Sequence, residues 1–283
     1  MTICRATSLR MTKGLANLPL ATAASPLATP APWLAGLRAA PLDYPTRPHR
    51  GAARAAFKHA EHLDSYLRSS PVPPHTAAAF ADFEGWLADQ NSGAPLILDS
   101  GCGTALSTRT LAARHPDALV VGVDRSEHRL SRRDGPHADA LTVPPNALLV
   151  RAELAAFWRL LLERGLSDRV SQHHLLYPNP YPKPSQRSRR WPFHPSLPLL
   201  LQIGGTLELR TNWLAYAAEF RAAVRGLARA PDGGAVPDAV RAAAARRLPA
   251  TLTTLQLEPE EGLSRFEQKY ATRGALYALS FGE

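Results

Sequence analysis

The chain has 283 residues, 45% of them hydrophobic, and a formal net charge of +9 with a sequence pI near 10.1. This length fits one large domain with an extension or two smaller domains, and the positive charge favours a polyanionic partner, RNA or DNA before an anionic membrane. The two cysteines, Cys4 and Cys102, imply no disulfide framework and fit a reducing cytoplasm, and no apolar run approaches the length of a membrane span.

The first 94 residues differ in composition from the rest. Residues 1–50 are rich in Pro and Ala, and residues 1–42 contain no acidic side chain. We expect a disordered arm here, although the composition also fits a transit peptide, or an upstream start-site artefact with Met11 as another start. Residues 51–94 form a helical extension, with apolar periodicity over 51–69 and again over 76–90.

From residue 95 to residue 283, apolar strand patterns alternate with helical patterns. Strands are predicted at 95–101, 118–124, 147–153, 170–178 and 206–212, and further strands near 251–257 and 274–281. Five strand–helix units in a row indicate an α/β, doubly wound, mostly parallel sheet of about seven strands, with the final pair added at its edge.

The first strand ends in DSGCGTAL, residues 99–106. Gly101 and Gly103 permit a tight turn and close approach of a ligand to the backbone, but Leu106 stands where a dinucleotide-binding turn has its third glycine. Asp99 suits a ligand that carries an ammonium group better than it suits a pyrophosphate. Cys102 lies within the turn, and we interpret its side chain as a packing residue rather than a nucleophile.

Acidic residues follow the next two strands as well. Asp124 ends the second strand, where a carboxylate can hold both ribose hydroxyls of a nucleoside cofactor, and Arg125 follows it. Glu153 ends the third strand and can accept a hydrogen bond from an adenine amino group. Together with the glycine turn, this arrangement resembles the S-adenosylmethionine site of class I methyltransferases.

Three further segments narrow the resemblance. They are YPNPYPKPSQRSRRW at 177–191, RTNWLAY at 210–216 and LSRFEQKY at 263–270. In this order they resemble the signature motifs of the tRNA (guanine-N7)-methyltransferase, or TrmB-like, family. The resemblance covers roughly residues 95–281 and implies a Rossmann-like fold, S-adenosylmethionine as cofactor and tRNA as partner.

The resemblance also implies roles for individual residues. Four would line the cofactor pocket: Asp99, Asp124, Glu153 and Asn179. Four would contact the target guanine or its nucleotide: Lys183, Asn212, Ser264 and Glu267. Three would bind RNA phosphates: Arg187, Arg189 and Arg190.

The segment NPY also resembles the loop of amino-methyltransferases, in which a side-chain carbonyl accepts the target amino hydrogens. In either family Tyr181 could stack on the base. Guanine N7 carries a free lone pair, so its methylation needs no general base, and the candidates for catalytic contacts are Asn179 and Glu267. Tyr177, Trp191 and Trp213 are interpreted as packing residues.

Three positions depart from the family pattern. Asn179 and Asn212 stand where the family has aspartates, which leaves the identity of the methylated atom open. Ala105 stands where methyltransferases often have glycine, and an alanine is tolerated there if the backbone is right-handed. The alternatives are a methyltransferase of the same architecture for another base or an exocyclic amine, and a non-catalytic RNA-binding protein. No metal site is predicted, and of the neighbouring His173 and His174 we expect one to be buried.

Overall fold

We describe a computed structural model in which residues 48–90, 93–131 and 142–282 are defined well enough to interpret. These residues belong to one compact unit. The arm predicted at 1–50 lies outside the described residues except for 48–50. No helix in the described ranges is long and apolar enough to cross a membrane.

A seven-stranded sheet organises the chain. Its strands are β1 (Leu96–Ser100), β2 (Leu119–Asp124), β3 (Ala147–Arg151), β4 (Val170–Leu176), β5 (Thr206–Thr211), β6 (Ala250–Leu255) and β7 (Leu276–Phe281). Their spatial order is β3-β2-β1-β4-β5-β7-β6. Strands β1 to β5 pair in parallel, whereas β7 is antiparallel to both β5 and β6. The predicted sheet and its added edge pair are therefore confirmed.

Helices cover the sheet. They are α1 (Ala52–Glu61), α2 (Leu63–Ser69), α3 (Pro74–Asp89), α4 (Leu106–Arg114), α5 (Glu127–Leu130), α6 (Leu154–Glu163), α7 (Leu197–Gln202), α8 (Leu214–Ala228), α9 (Asp238–Arg246) and α10 (Arg265–Tyr270). The single helix predicted over 51–69 is divided at His62, and the basic segment after β4 contains a short 3₁₀ helix, Pro184–Arg189.

The helical extension packs into the same hydrophobic core as the sheet. Ala52, Ala56 and Ala60 form a fully buried stripe on α1, since residues four apart lie on one face of a helix. At Gly226 of α8 an added Cβ would lie 2.7 Å from the Cβ of Ala53, so α1 and α8 approach closely. The core thus continues from the sheet into the extension.

The parallel topology positions the functional residues. Because the carboxyl ends of parallel strands lie at one edge of a sheet, the segments that follow β1, β2, β3, β4 and β5 share that edge. The amino end of β7 lies there too, since Thr211 pairs with Tyr277 in antiparallel register. Helix α10, which precedes β7, is therefore brought beside the segments that follow β4 and β5.

Candidate active site

The turn between β1 and α4 has the left-handed backbone that glycine permits. Gly101 has φ 80° and Gly103 has φ 59°. The backbone N–H groups of Gly101 and Cys102 donate to the carbonyl of Val123 at 2.8 and 3.1 Å, which ties the turn to β2. No described atom lies within 4 Å of a Cβ built on Gly103. A ligand can approach the backbone closely at this point.

The backbone at Ala105 is left-handed, so the condition under which an alanine would cost nothing there is not met. The residue has φ 60° and ψ 20°, and its side chain is fully buried at the start of α4. A left-handed conformation costs a non-glycine residue about 1–2 kcal/mol. The turn holds Ala105 in a conformation that the glycine of the family pattern would adopt without strain.

Asp99 lies beneath the turn and is fully buried. Its Oδ2 accepts hydrogen bonds from the hydroxyls of Ser107 and Thr108 at 2.6 and 2.7 Å. Its Oδ1 has no hydrogen-bond partner among the described residues. Burial raises the pKa of Asp99, and the two hydroxyls oppose that shift. The unpartnered oxygen fits a cofactor that brings an ammonium group to this turn.

Asp124 is held in place by backbone amides. Its Oδ2 accepts from the N–H of Gly103 at 3.0 Å, and its Oδ1 accepts from the N–H of Ser126 at 2.8 Å. A carboxylate has about four acceptor sites, so both oxygens can still accept from ribose hydroxyls. Ser126 also caps α5, because its side chain accepts a hydrogen bond from the N–H of Arg129.

The other predicted cofactor residues differ in exposure. Arg125 and Glu153 are both exposed. The backbone N–H of Glu153 donates to the hydroxyl of Thr76 on α3 at 3.2 Å, which fixes the start of α6. Cys102 is buried, and its burial, aided by Asp99 and Asp124, raises the pKa of the thiol well above its usual value. The thiol therefore stays protonated and packs within the turn.

The segment after β4 has two residues with unusual backbone. Tyr177 has φ 49° and Tyr181 has φ 44°, both in the left-handed region. Asn179 lies exposed between them, and its Oδ1 accepts the backbone N–H of Tyr181 at 3.1 Å. The asparagine thus closes a local turn that presents residues 179–181 at the carboxyl edge of the sheet.

Arg190 does not face solvent, and its predicted contact with RNA phosphate is wrong. The residue is 4% exposed, and its Nη1 lies 3.0 Å from Oε1 of Glu219. Its Nε and Nη2 donate to the carbonyls of Pro180 and Tyr181, both at 2.9 Å. Its guanidinium also stacks 4.4 Å from the ring centroid of Trp213. Arg190 holds the 179–181 turn from below.

Three other basic residues of this segment are at least partly accessible to solvent. Lys183 and Arg189 are exposed, and Arg187 is half-buried. The guanidinium of Arg189 lies 5.8 Å from the ring centroid of the half-buried Tyr181, and that of Arg187 lies 5.6 Å from the ring of Phe193. These cation–π contacts hold both guanidinium groups against aromatic rings at the surface of the segment.

Glu267 is fully buried, which contradicts its predicted contact with the target base. Its Oε1 accepts from Nη1 of Arg210 at 2.9 Å, and its Oε2 accepts from the N–H of Leu263 at 2.6 Å. Ser264, half-buried, caps α10 by accepting the N–H of Glu267 at 3.2 Å. Glu267 therefore anchors α10 to β5 and carries a compensated charge.

The pair continues into a network that sequence analysis missed. Arg210 also donates to Glu208 at 2.8 Å, and Glu208 lies 3.2 Å from Nδ1 of His174. Although burial opposes it, hydrogen bonding to His174 and the charge of Arg210 lower the pKa of Glu208 to about 2. The signal was the i, i+2 spacing of Glu208 and Arg210, which places both on one face of β5. Asn212 follows β5 and is half-buried.

Both neighbouring histidines of β4 are buried, whereas burial was predicted for one of them. The reason is that helices cover both faces of this central strand. His173 Nε2 lies 2.8 Å from the hydroxyl of Ser100, which also accepts from Trp158 Nε1 at 3.1 Å. Burial lowers the pKa of His173 well below its usual value.

The aromatic residues assigned to packing do pack. Trp213 is buried in the main core, against which Trp191 packs, and Tyr177 packs against a second cluster beside β1. Within the described ranges no group of three or more His, Cys, Asp or Glu side chains could hold a metal ion.

Residues 93–230 match the model of a family described as "Putative methyltransferase". The chain is 27% identical over 223 residues to a tRNA (guanine-N(7)-)-methyltransferase of Treponema pallidum, covering 75% of this chain and 78% of that protein. It is 29% identical over 127 residues to the enzyme of that name from Pectobacterium atrosepticum, covering 44% and 51%.

Solved structures show a more distant likeness. The 16S rRNA methyltransferase KamB is 21% identical, with a TM-score of 0.40 over 71% of this chain and 92% of that chain. An antibiotic-related methyltransferase is 13% identical, with a TM-score of 0.45 over 67% and 88%. Because both TM-scores are low, the assignment of the fold rests on the strand order of the sheet and not on these structures.

The sheet order, the glycine turn with Asp99 and Asp124, and the family match therefore agree on an S-adenosylmethionine-dependent methyltransferase. Residues 93–230 match this methyltransferase family, and the chain is similar, as a divergent sequence, to tRNA (guanine-N(7)-)-methyltransferases.

Proposed function

We propose that this protein transfers a methyl group to RNA, at N7 of a guanine in tRNA. One observation carries the proposal. The three motif segments, far apart in the chain, contact one another at the carboxyl edge of the sheet. Tyr177 stacks on Phe266 of α10, Arg210 of β5 pairs with Glu267, and Arg190 lies against Trp213. Relatives that carry the name tRNA (guanine-N(7)-)-methyltransferase match 75% and 44% of this chain, which supports the same substrate.

The cofactor would be held at the turn after β1. Asp99 would accept a hydrogen bond from the ammonium group of the cofactor, and Asp124 would accept hydrogen bonds from its ribose hydroxyls. The open backbone of Gly101, Cys102 and Gly103 would lie against the cofactor. Glu153 and Arg125 are exposed at the neighbouring strand ends and would contact its adenosine half. S-adenosylmethionine supplies an electrophilic methyl group, which a lone pair of the acceptor attacks.

The acceptor side would act mainly by positioning. N7 of guanine has no proton to lose, so the chain has to align the base and exclude water rather than supply a base. Asn179 and Tyr181 are available to contact the base, because the turn that carries them opens at the sheet edge. Asn212 follows β5, and Ser264 caps the start of α10. Both lie at the same edge of the sheet as Asn179, so we assign them to the target nucleotide.

The RNA backbone would be bound by the exposed basic residues beside this turn. Lys183, Arg187 and Arg189 are the candidates, and each phosphate contact would release counterions and make binding depend on salt. Arg190 is excluded from this set because its guanidinium is already bound by Glu219 and by two carbonyls.

A second candidate function is methylation of another base or of an exocyclic amine. The family aspartates are Asn179 and Asn212 here, and the charge of Glu267 is compensated by Arg210. None of these three positions thus offers a free carboxylate to the positive charge that N7 methylation creates. An amine acceptor would use the carbonyl oxygen of Asn179 instead.

The test is transfer of label from radioactive S-adenosylmethionine to purified RNA classes. We expect incorporation into unmodified tRNA and none into the same tRNA with N7-methylguanosine already in place. Asp124→Ala serves as the inactive control, since it removes the predicted ribose contact. Label in ribosomal RNA but not in tRNA would contradict the tRNA assignment, and no label in any RNA would overturn an RNA substrate.

We further propose that the protein acts in the cytoplasm. The support is the chemistry of its substrate and the presence of only two cysteines, one of which, Cys102, is buried as a free thiol. Microscopy of the tagged full-length chain in its own cells would test this, and accumulation in another compartment would contradict it.

A further inference from the structure

Three aromatic rings form a continuous stack beside the candidate target site. The ring centroids of Tyr177 and Phe266 lie 4.4 Å apart at an interplanar angle of 26°. Those of Phe266 and Tyr270 lie 4.3 Å apart at 29°. By contrast, the buried rings of Phe80 and Phe83 in the core meet at 64°. We call Tyr177, Phe266 and Tyr270 the aromatic stack.

The aromatic stack has an inner and an outer end. Tyr177 packs against the apolar cluster that includes Leu111 and Leu263, so its end is internal. Its left-handed backbone, with φ 49°, fixes the ring against Phe266. Phe266 and Tyr270 are both half-buried on α10, one helical turn apart. Tyr270 therefore ends the stack on the side away from the core.

Basic side chains flank the outer end. Lys269 Nζ lies 5.1 Å from the ring centroid of Tyr270, and Arg265, one turn earlier on α10, is exposed. A lysine side chain is flexible and can exchange its contact with the ring for a phosphate. Aromatic faces interleaved with positive charge are the composition of surfaces that bind single-stranded nucleic acid.

We propose that the outer end of the aromatic stack is a subsite for an unpaired nucleotide of the substrate RNA. A base would stack on Tyr270 as a fourth ring, and Lys269 and Arg265 would contact the phosphates on either side. The subsite rests on the proposed RNA substrate and adds Tyr270, Lys269 and Arg265 to the residues that bind it. Glu267 supports the subsite from below, since its pair with Arg210 fixes α10 against β5.

The test uses the full-length protein and fluorescence anisotropy with labelled unmodified tRNA. Tyr270→Leu removes the aromatic face but keeps an apolar side chain, and we expect it to raise Kd about tenfold, the effect of losing one base stack. Tyr270→Phe keeps the ring and should bind as the wild type does. S-adenosylmethionine affinity, measured by calorimetry, should be the same in all three proteins. Trp86→Leu, a matched loss of a half-buried ring on α3, should leave Kd for tRNA unchanged.

Several outcomes separate this inference from the proposed function. If the wild type methylates tRNA while Tyr270→Leu binds it equally well, the subsite is wrong and the proposed function stands. Equal losses in Tyr270→Phe and Tyr270→Leu would also overturn stacking, because the ring would then not be what binds. If the wild type binds no RNA, both fail. As an independent check, Lys269→Gln should reduce the slope of log K against log salt by about 0.7–0.9, and an unchanged slope would contradict a phosphate contact.

Discussion

The guanidinium of Arg190 is bound by the carboxylate of Glu219, with Nη1 lying 3.0 Å from Oε1 and 3.1 Å from Oε2. Both side chains are almost fully buried, at 4% and 1% exposure. The remaining guanidinium hydrogens bind the carbonyls of Pro180 and Tyr181. This pair links α8 to the turn that presents Asn179 and Tyr181, so it supports the site without touching the RNA.

Arg190→Ala should therefore destabilise the protein rather than merely weaken RNA binding. Removing one partner leaves Glu219 buried without its cation, which costs about 3–5 kcal/mol. Urea unfolding of the variant measures this loss. Arg189→Ala, at the neighbouring exposed position, should change stability by less than about 0.5 kcal/mol. Equal stabilities for the two variants would show that the buried pair contributes nothing.

Arg189→Ala should act on RNA affinity instead. The exposed guanidinium lies over Tyr181, beside the turn, where it can reach a phosphate. We expect weaker tRNA binding and a slope of log K against log salt reduced by about 0.7–0.9, which corresponds to one phosphate contact. Binding titrations at several salt concentrations measure this slope. A weaker affinity with the wild-type slope would argue against a phosphate contact.

Ala105 offers a test of the strained turn. Ala105→Gly would relieve about 1–2 kcal/mol of left-handed strain, but it would lose about 0.8 kcal/mol of methyl burial and gain flexibility in the unfolded chain. These contributions offset, so stability should stay within about 1 kcal/mol of the wild type. Ala105→Val adds a β-branch at φ 60° and should lose more than about 2 kcal/mol. Urea unfolding distinguishes them, and a stable Val variant would contradict the left-handed geometry.

Three buried or half-buried histidines should make the free energy of unfolding depend on pH between about 6.5 and about 4. Burial lowers the pKa of His59 and His173, and it lowers that of His194 to about 4. In this window the unfolded chain binds more protons than the native protein, so stability falls as pH falls. His194→Gln should reduce the slope of the free energy of unfolding against pH by at most about 1.4 kcal/mol per pH unit. Urea unfolding at several pH values checks this, and parallel curves for the two proteins would contradict it.

The sheet and the cofactor turn could be predicted because their signals are local. Apolar runs mark the strands of a parallel sheet, and the acid at the end of each strand is placed at one edge by topology alone. The predicted positions at the carboxyl ends of β1 and β2 are those at which the structure has Asp99, Asp124, Gly101 and Gly103. The geometry of Ala105 could not be predicted, since a left-handed alanine has no sequence signature and depends on the surrounding contacts.

The charged residues of the acceptor side could not be sorted from the sequence. Arg189 and Arg190 are neighbours, and only the packing of Trp213 and Glu219 decides which guanidinium turns inward. One signal existed. Glu219 lies on the buried face of α8, three residues after Tyr216, where an acid needs a cation. Glu267 was likewise predicted to contact the target base, because the sequence does not show that Arg210 pairs with it.

The most direct test is the identity of the labelled nucleoside. Unmodified tRNA is incubated with the wild-type protein and labelled S-adenosylmethionine, digested completely, and separated by chromatography with Asp124→Ala as the inactive control. We expect the label to elute with N7-methylguanosine. Label in a nucleoside methylated at an exocyclic amine, or at another base, would contradict the assignment to guanine N7.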